Sequence, residues 1–103
     1  MTKVEFLHDK SKLTVFIHGE IDHHGAGQIR DIIDTQILKS MPRLVVMDFS
    51  HVTFMDSSGI GLVLARYRFC TDCGATLYVE GVDRQTGKIL ALAGIKTIQN
   101  INV

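Results

Sequence analysis

A chain of 103 residues, 46% hydrophobic and 21% charged, has the make-up of one ordinary globular domain, 1–103, with a modest core. Eleven basic residues balance eleven acidic ones, and this formal net charge of zero argues against a broad nucleic-acid surface. No apolar run approaches the roughly 20 residues of a membrane span, and Met1-Thr2-Lys3-Val4-Glu5-Phe6 has no apolar signal core, so a cytoplasmic protein without membrane contact is expected.

Residues 3–8 and 13–19 are predicted strands, joined into a hairpin by the polar turn His8-Asp9-Lys10-Ser11-Lys12. From Asp22 onward, Ile29, Ile32, Ile33 and Ile37 mark one face of a helix. Asp22 or His23 caps its start, and Pro42 enforces its stop. Residues 43–49 form a third strand, whose nearly continuous apolar character is that of a strand covered on both faces. A helix from about Ser57 to Cys70 follows, with Ile60, Val63, Leu64 and Tyr67 at helical spacing. Gly74 ends that unit, and Thr76-Leu77-Tyr78-Val79-Glu80 is a fourth strand. Residues 83–93 form a helix around Ile89, Leu90 and Ala93, and 96–103 a short last strand. Strands alternating with helices after the hairpin predict an α/β fold with right-handed crossovers: a small mixed β-sheet of about five strands packed with about three helices.

Most catalytic constellations fail on spacing. Cys70 and Cys73 form a Cys-x-x-Cys, but at the end of a helical pattern, where the dipole has the wrong sign to activate a thiol. A zinc site needs two further ligands, and there is no second cysteine pair. Asp22-His23-His24 places three ligand types side by side, yet successive side chains point apart and rarely converge on one ion. A serine hydrolase elbow needs Gly-x-Ser-x-Gly. Met55 stands at the first glycine position for Ser57, and Asp56 for Ser58. Gly81 and Gly87 complete no phosphate-cradling loop. No metal, cofactor or enzymatic activity is expected; a small thiol-redox or hydrolytic enzyme is the remote alternative.

The most informative stretch is Phe54-Met55-Asp56-Ser57-Ser58-Gly59-Ile60-Gly61. It lies between the third strand and the second helix, so Asp56, Ser57 and Ser58 fall where a loop turns into a helix. A capping Asp or Ser accepts a hydrogen bond from an orphan backbone N–H. Gly59 and Gly61 leave the first turn without bulk, open to close approach by another surface. The dipole and free N–H groups of a helix start favour negative charge, such as a phosphate carried by a hydroxyl.

This stretch, with Arg66-Tyr67 closing the helix, resembles the signature of the STAS family, and within it the bacterial anti-sigma factor antagonists of the sporulation type. Gly19-Glu20-Ile21-Asp22-His23-His24 resembles that family's loop from the second strand into the first helix. Val82-Asp83 through Leu92-Ala93-Gly94-Ile95 resembles the segment carrying the next helix into the last strand. Family members commonly continue into a further helix, whereas this sequence stops at Val103. The resemblance implies a STAS fold and a protein whose unphosphorylated form binds an anti-sigma factor that is also a serine kinase, releasing a sigma factor for transcription. It maps the phosphorylated residue to Ser57, with a separate serine phosphatase restoring the active form. It also implies a partner-binding surface of Glu20, Asp22, His23, Asp56, Ser57, Ser58 and Gly59, the carboxylates facing basic side chains of the partner. The runner-up is a STAS interaction module of another signalling assembly, without a kinase acting on Ser57.

Overall fold

The computed structural model describes residues 1–98. The chain runs β1 (Lys3–Asp9), β2 (Lys12–Ile21), α1 (His23–Ser40), β3 (Leu44–Met55), α2 (Ser57–Asp72), β4 (Thr76–Glu80), α3 (Arg84–Leu92) and β5 (Lys96–Ile98). The five strands form one mixed sheet in the order β1-β2-β3-β4-β5; β1 is antiparallel to β2, and the rest are parallel. This is the expected α/β architecture. The last strand is seen at Lys96–Ile98, and the remainder of that expectation, 99–103, lies outside the described residues.

The hairpin closes tightly. Asp9 pairs with Lys12, leaving Lys10 and Ser11 to turn, with Lys10 in the left-handed region at φ 57°. The Ser11 carbonyl accepts hydrogen bonds from the Arg43 and Leu44 N–H groups, tying the turn to the start of β3. Helix α1 ends as Pro42 requires: Met41 adopts the left-handed conformation and its N–H bonds the Ile37 carbonyl at 2.9 Å.

Three parallel crossovers advance in the same direction across the sheet. Right-handed connections therefore place α1, α2 and α3 on one face. The core confirms this layering: Leu13, Val15 and Ile17 of β2, Val45, Met47 and Phe49 of β3, and Leu77 and Val79 of β4 join Ile29, Ile33, Ile37, Leu62, Val63 and Leu90 of the helices. Among the described residues the other face carries no helix. Val46 is still fully buried there, because its neighbours across the register are Thr14 and Tyr78. The apolar run of β3 thus reflects burial on both faces, one under helices and one under flanking side chains.

Two helical faces differ from the periodic reading. Ile32 is 48% exposed, and α1 buries Gly25, Ile29, Ile33 and Ile37 instead. Leu64 is 38% exposed, and α2 turns Gly59, Leu62, Val63, Arg66 and Cys70 inward. Strand β3 is longer than the predicted 43–49. Its partner β2 runs beside it to the pairing Ile21↔Met55, across two irregularities, which keeps the polar segment Ser50-His51-Val52-Thr53 extended. Beyond Asp48↔Glu80, β4 no longer accompanies it.

Candidate functional site

The parallel strands β2 and β3 end side by side, and each is followed by a helix after a single residue. Asp22 separates β2 from α1, and Asp56 separates β3 from α2. Both are extended and cap their helices. Asp22 Oδ1 accepts from the Gly25 N–H at 2.7 Å, and Asp56 Oδ1 from the Ser58 N–H at 2.8 Å. The Gly25 N–H holds the Asp22 carboxyl below its ordinary pKa. The two turns are joined by the Asp56 N–H, which donates to the Ile21 carbonyl at 3.2 Å. There is no loop before α2; the strand passes straight into the helix through Asp56.

This junction brings the sequence-predicted residues together. Glu20 and Ile21 lie opposite Phe54 and Met55 in the register, and Asp22 and His23 follow at the surface. Ser57 is exposed as the first residue of α2, and Ser58 is half-buried behind it. Gly59 stands apart, because it is buried. A Cβ there would lie 2.1 Å from Met55 Cγ and 2.2 Å from Met55 Sδ, so Met55 occupies the room that the missing side chain leaves. Gly61 is the glycine that faces outward, with nothing within 4 Å of where its Cβ would be.

The two glycines make a contrasting pair. Gly59→Ala forces Met55 aside, an overpacking penalty of about 1–3 kcal/mol that better helix propensity offsets by about 1 kcal/mol. Gly61→Ala meets no obstruction and should gain up to about 1 kcal/mol. Thermal melts should therefore fall for the first variant and hold or rise for the second.

Between α1 and α2 lies a groove of about 500 Å³, lined by His23, Arg30, Ser58 and Arg66, with Gly27 and Gly61 among its lining. Arg66 entered the sequence analysis only as part of the family-like signature, and its burial was missed. It is the inward cation of α2, 7% exposed, and its Nε lies 2.7 Å from Oδ1 of Asp34 on α1, itself 21% exposed. The approach is close but not aligned as a hydrogen bond, and Arg66 Nη1 is buried without a hydrogen-bond partner among the described residues. Burial raises the Asp34 pKa, ahead of the Arg66 attraction that lowers it. The signal in the sequence was the four-residue spacing Leu62–Arg66–Cys70, which places Arg66 in the middle of the buried stripe.

Cys70 and Cys73 are free; Cys70 is fully buried, and burial pushes its thiol up to about 12, with Cys73 adding to the effect. Among the described residues no group of three or more His, Cys, Asp or Glu could hold a metal ion, and no helix is long and apolar enough to cross a membrane.

Comparison with known proteins agrees with this architecture. The family profile described as STAS domain matches residues 3–102. An anti-sigma F factor antagonist of Paenibacillus polymyxa is 30% identical over 99 residues, covering 96% of this chain and 85% of its own. The solved structure of the anti-sigma factor antagonist SpoIIAA in its unphosphorylated form gives a TM-score of 0.78 at 28% identity, over 95% of this chain and 87% of that one. The Bacillus cell fate determinant SpoIIAA in the phosphorylated form gives 0.78 at 26% identity, over 99% and 93%.

Proposed function

Because the chain belongs to the STAS domain family, we propose that it is an anti-sigma factor antagonist, switched by phosphorylation of Ser57. The unphosphorylated form binds an anti-sigma factor that is also a serine kinase, and binding displaces a sigma factor in the cytoplasm. The kinase phosphorylates Ser57 and ends the contact; a serine phosphatase restores it. The partner surface consists of Glu20, Asp22, His23, Asp56, Ser57 and Ser58, with Gly59 supporting it from beneath. The chain acts by binding, with no catalytic residue or cofactor of its own.

One observation carries this reading: the Ser57 hydroxyl is exposed at the start of α2, and the Asp56 side chain engages the Ser58 N–H rather than Ser57. The hydroxyl is therefore available to an incoming phosphoryl group, and the helix start tolerates the charge it would carry. The backbone bond from Asp56 to Ile21 adds the α1 turn to the same surface. A phosphate adds about −1.5 to −2 charge next to Asp56, which a contact made for a neutral hydroxyl cannot desolvate.

The test is incubation with the cognate anti-sigma kinase and ATP, followed by mass-spectrometric site mapping. One phosphate on Ser57 is expected, and Ser57→Ala should take up none. Phosphate on Ser58 alone, or no transfer, would remove Ser57 from its assigned role.

A further inference from the structure

The groove between α1 and α2 opens beside Ser57, at Ser58, and the proposed function leaves Arg30, Arg66, Gly27 and Gly61 of its lining without a role. Its polar lining residues are Arg30, Arg66, His23 and Ser58, all able to donate hydrogen bonds and two of them cations. No carboxylate lines it, although Glu20, Asp22 and Asp56 rim the neighbouring surface. Arg30 is tied only loosely, with its Nε 3.4 Å from Asp31 on the exposed side of α1, a kind of pair that contributes little. Arg66 is buried against Asp34 with its Nη1 sealed from solvent, so it adds charge to the groove wall without offering that atom to a ligand. A charged acceptor is the strongest partner for a guanidinium that stays accessible, which here is that of Arg30. Gly27 and Gly61 keep the floor low, since neither has any atom within 4 Å of its missing Cβ.

We infer that this groove receives an acidic side chain, Asp or Glu, from the anti-sigma factor. The inference rests on the proposed function and adds a chemical requirement to it. The partner must present a carboxylate between α1 and α2 as well as basic groups toward Glu20, Asp22 and Asp56. Opposite charges arranged in this alternation fix orientation and exclude wrong partners. A carboxylate seated next to Ser58 would also be repelled by a phosphate on Ser57, so the groove would contribute to the switch.

Calorimetric titration of the cognate anti-sigma factor against four variants tests this. Gly61→Leu fills the groove from a helix position with free space, and Arg30→Glu reverses its accessible charge. Arg30→Lys keeps that charge, and Lys39→Glu, at the far end of α1, makes the same change in net charge as Arg30→Glu away from the groove. Gly61→Leu and Arg30→Glu should each weaken binding by roughly tenfold or more. Arg30→Lys should retain most of the affinity, and Lys39→Glu should match wild type. If Gly61→Leu disturbs the melt, Gly61→Met serves in its place. Unchanged affinity with the groove filled would show that nothing enters it. A loss with Arg30→Glu no greater than with Lys39→Glu would show that the occupant is not anionic. In both cases the antagonist reading stands, because wild type still binds; absence of binding by wild type would overturn that reading and this inference with it.

Discussion

Ser57→Asp should lose most binding to the anti-sigma factor while keeping its fold. On the folded side the charges nearly cancel. A negative charge in the first turn of α2 gains about 0.3–1 kcal/mol from the helix N-terminus, and repulsion from the adjacent exposed Asp56 is of similar size. The residue is exposed, so no packing is disturbed. At the interface the balance differs. The partner's basic groups are taken up by Glu20, Asp22 and Asp56, exposed on this edge of the sheet, and the new carboxylate becomes buried where the partner expects a hydroxyl and has no further cation prepared. A buried, unpaired charge at an interface costs roughly 2–5 kcal/mol, or about one and a half to almost four decades in affinity. Asp carries less charge than phosphate, so the loss should fall toward the weaker end. Ser57→Ala should bind and resist phosphorylation. Titration calorimetry reads the affinities, and thermal melts report the fold. Wild-type affinity for Ser57→Asp would exclude an electrostatic switch at this residue; a collapsed melt would show the charge acting through the fold.

What the sequence could say depended on whether a residue's role is set locally. The α1 stop was legible because Pro42 cannot continue a helix and no tertiary contact is needed to know it. The caps were legible to within one residue for the same reason, as Asp22 or His23 for α1 and an Asp or Ser at 56–57 for α2: an oxygen before a helical pattern meets N–H groups a few residues on, and the structure gives both caps to the Asp. The end of β3 was not. Ser50, His51 and Thr53 are exposed and polar, and they stay extended only because β2 pairs alongside them, a contact between distant parts of the chain. The two glycines of the first α2 turn look equivalent on paper. Which of them faces Met55 and which faces open space follows from how α2 is rotated on the sheet, and the apolar spacing placed that face slightly wrong by counting Leu64 instead of Leu62. The burial of Arg66 was not legible for a related reason: an arginine in an amphipathic helix is ordinarily solvated, and only the packing of α1 on α2 supplies Asp34 as its partner.

That buried pair predicts an asymmetry. Asp34→Ala should destabilise far more than Arg66→Met, although both remove the same contact. With Asp34 gone, the Arg66 guanidinium remains 7% exposed with no carboxylate beside it, and it cannot shed its proton at any relevant pH. Breaking a buried pair in this way costs about 3–5 kcal/mol. In a domain of this size 3 kcal/mol lowers the melting temperature by roughly 12–24 °C. With Arg66 replaced by Met, the lost volume is largely refilled. Asp34 then has two ways to relax: its side chain is 21% exposed, and its pKa is already raised by burial, so it can take up a proton. Removing Arg66 deletes the larger of the two influences that lower that pKa, the other being Arg30, and moves it further up. A carboxyl whose folded pKa exceeds its unfolded value binds more protons when folded, so its contribution to stability grows as pH falls through the folded pKa, is complete below the unfolded pKa, and is lost as pH rises through the folded pKa. Arg66→Met should accordingly recover stability relative to wild type as the pH is lowered from neutral, whereas Asp34→Ala should show no such recovery. The double variant Asp34→Ala/Arg66→Met should melt well above Asp34→Ala alone, because no buried charge remains. Equal melts for the two single variants, with no difference in their pH slopes, would mean that Arg66 reaches water and the pair is a surface contact in solution.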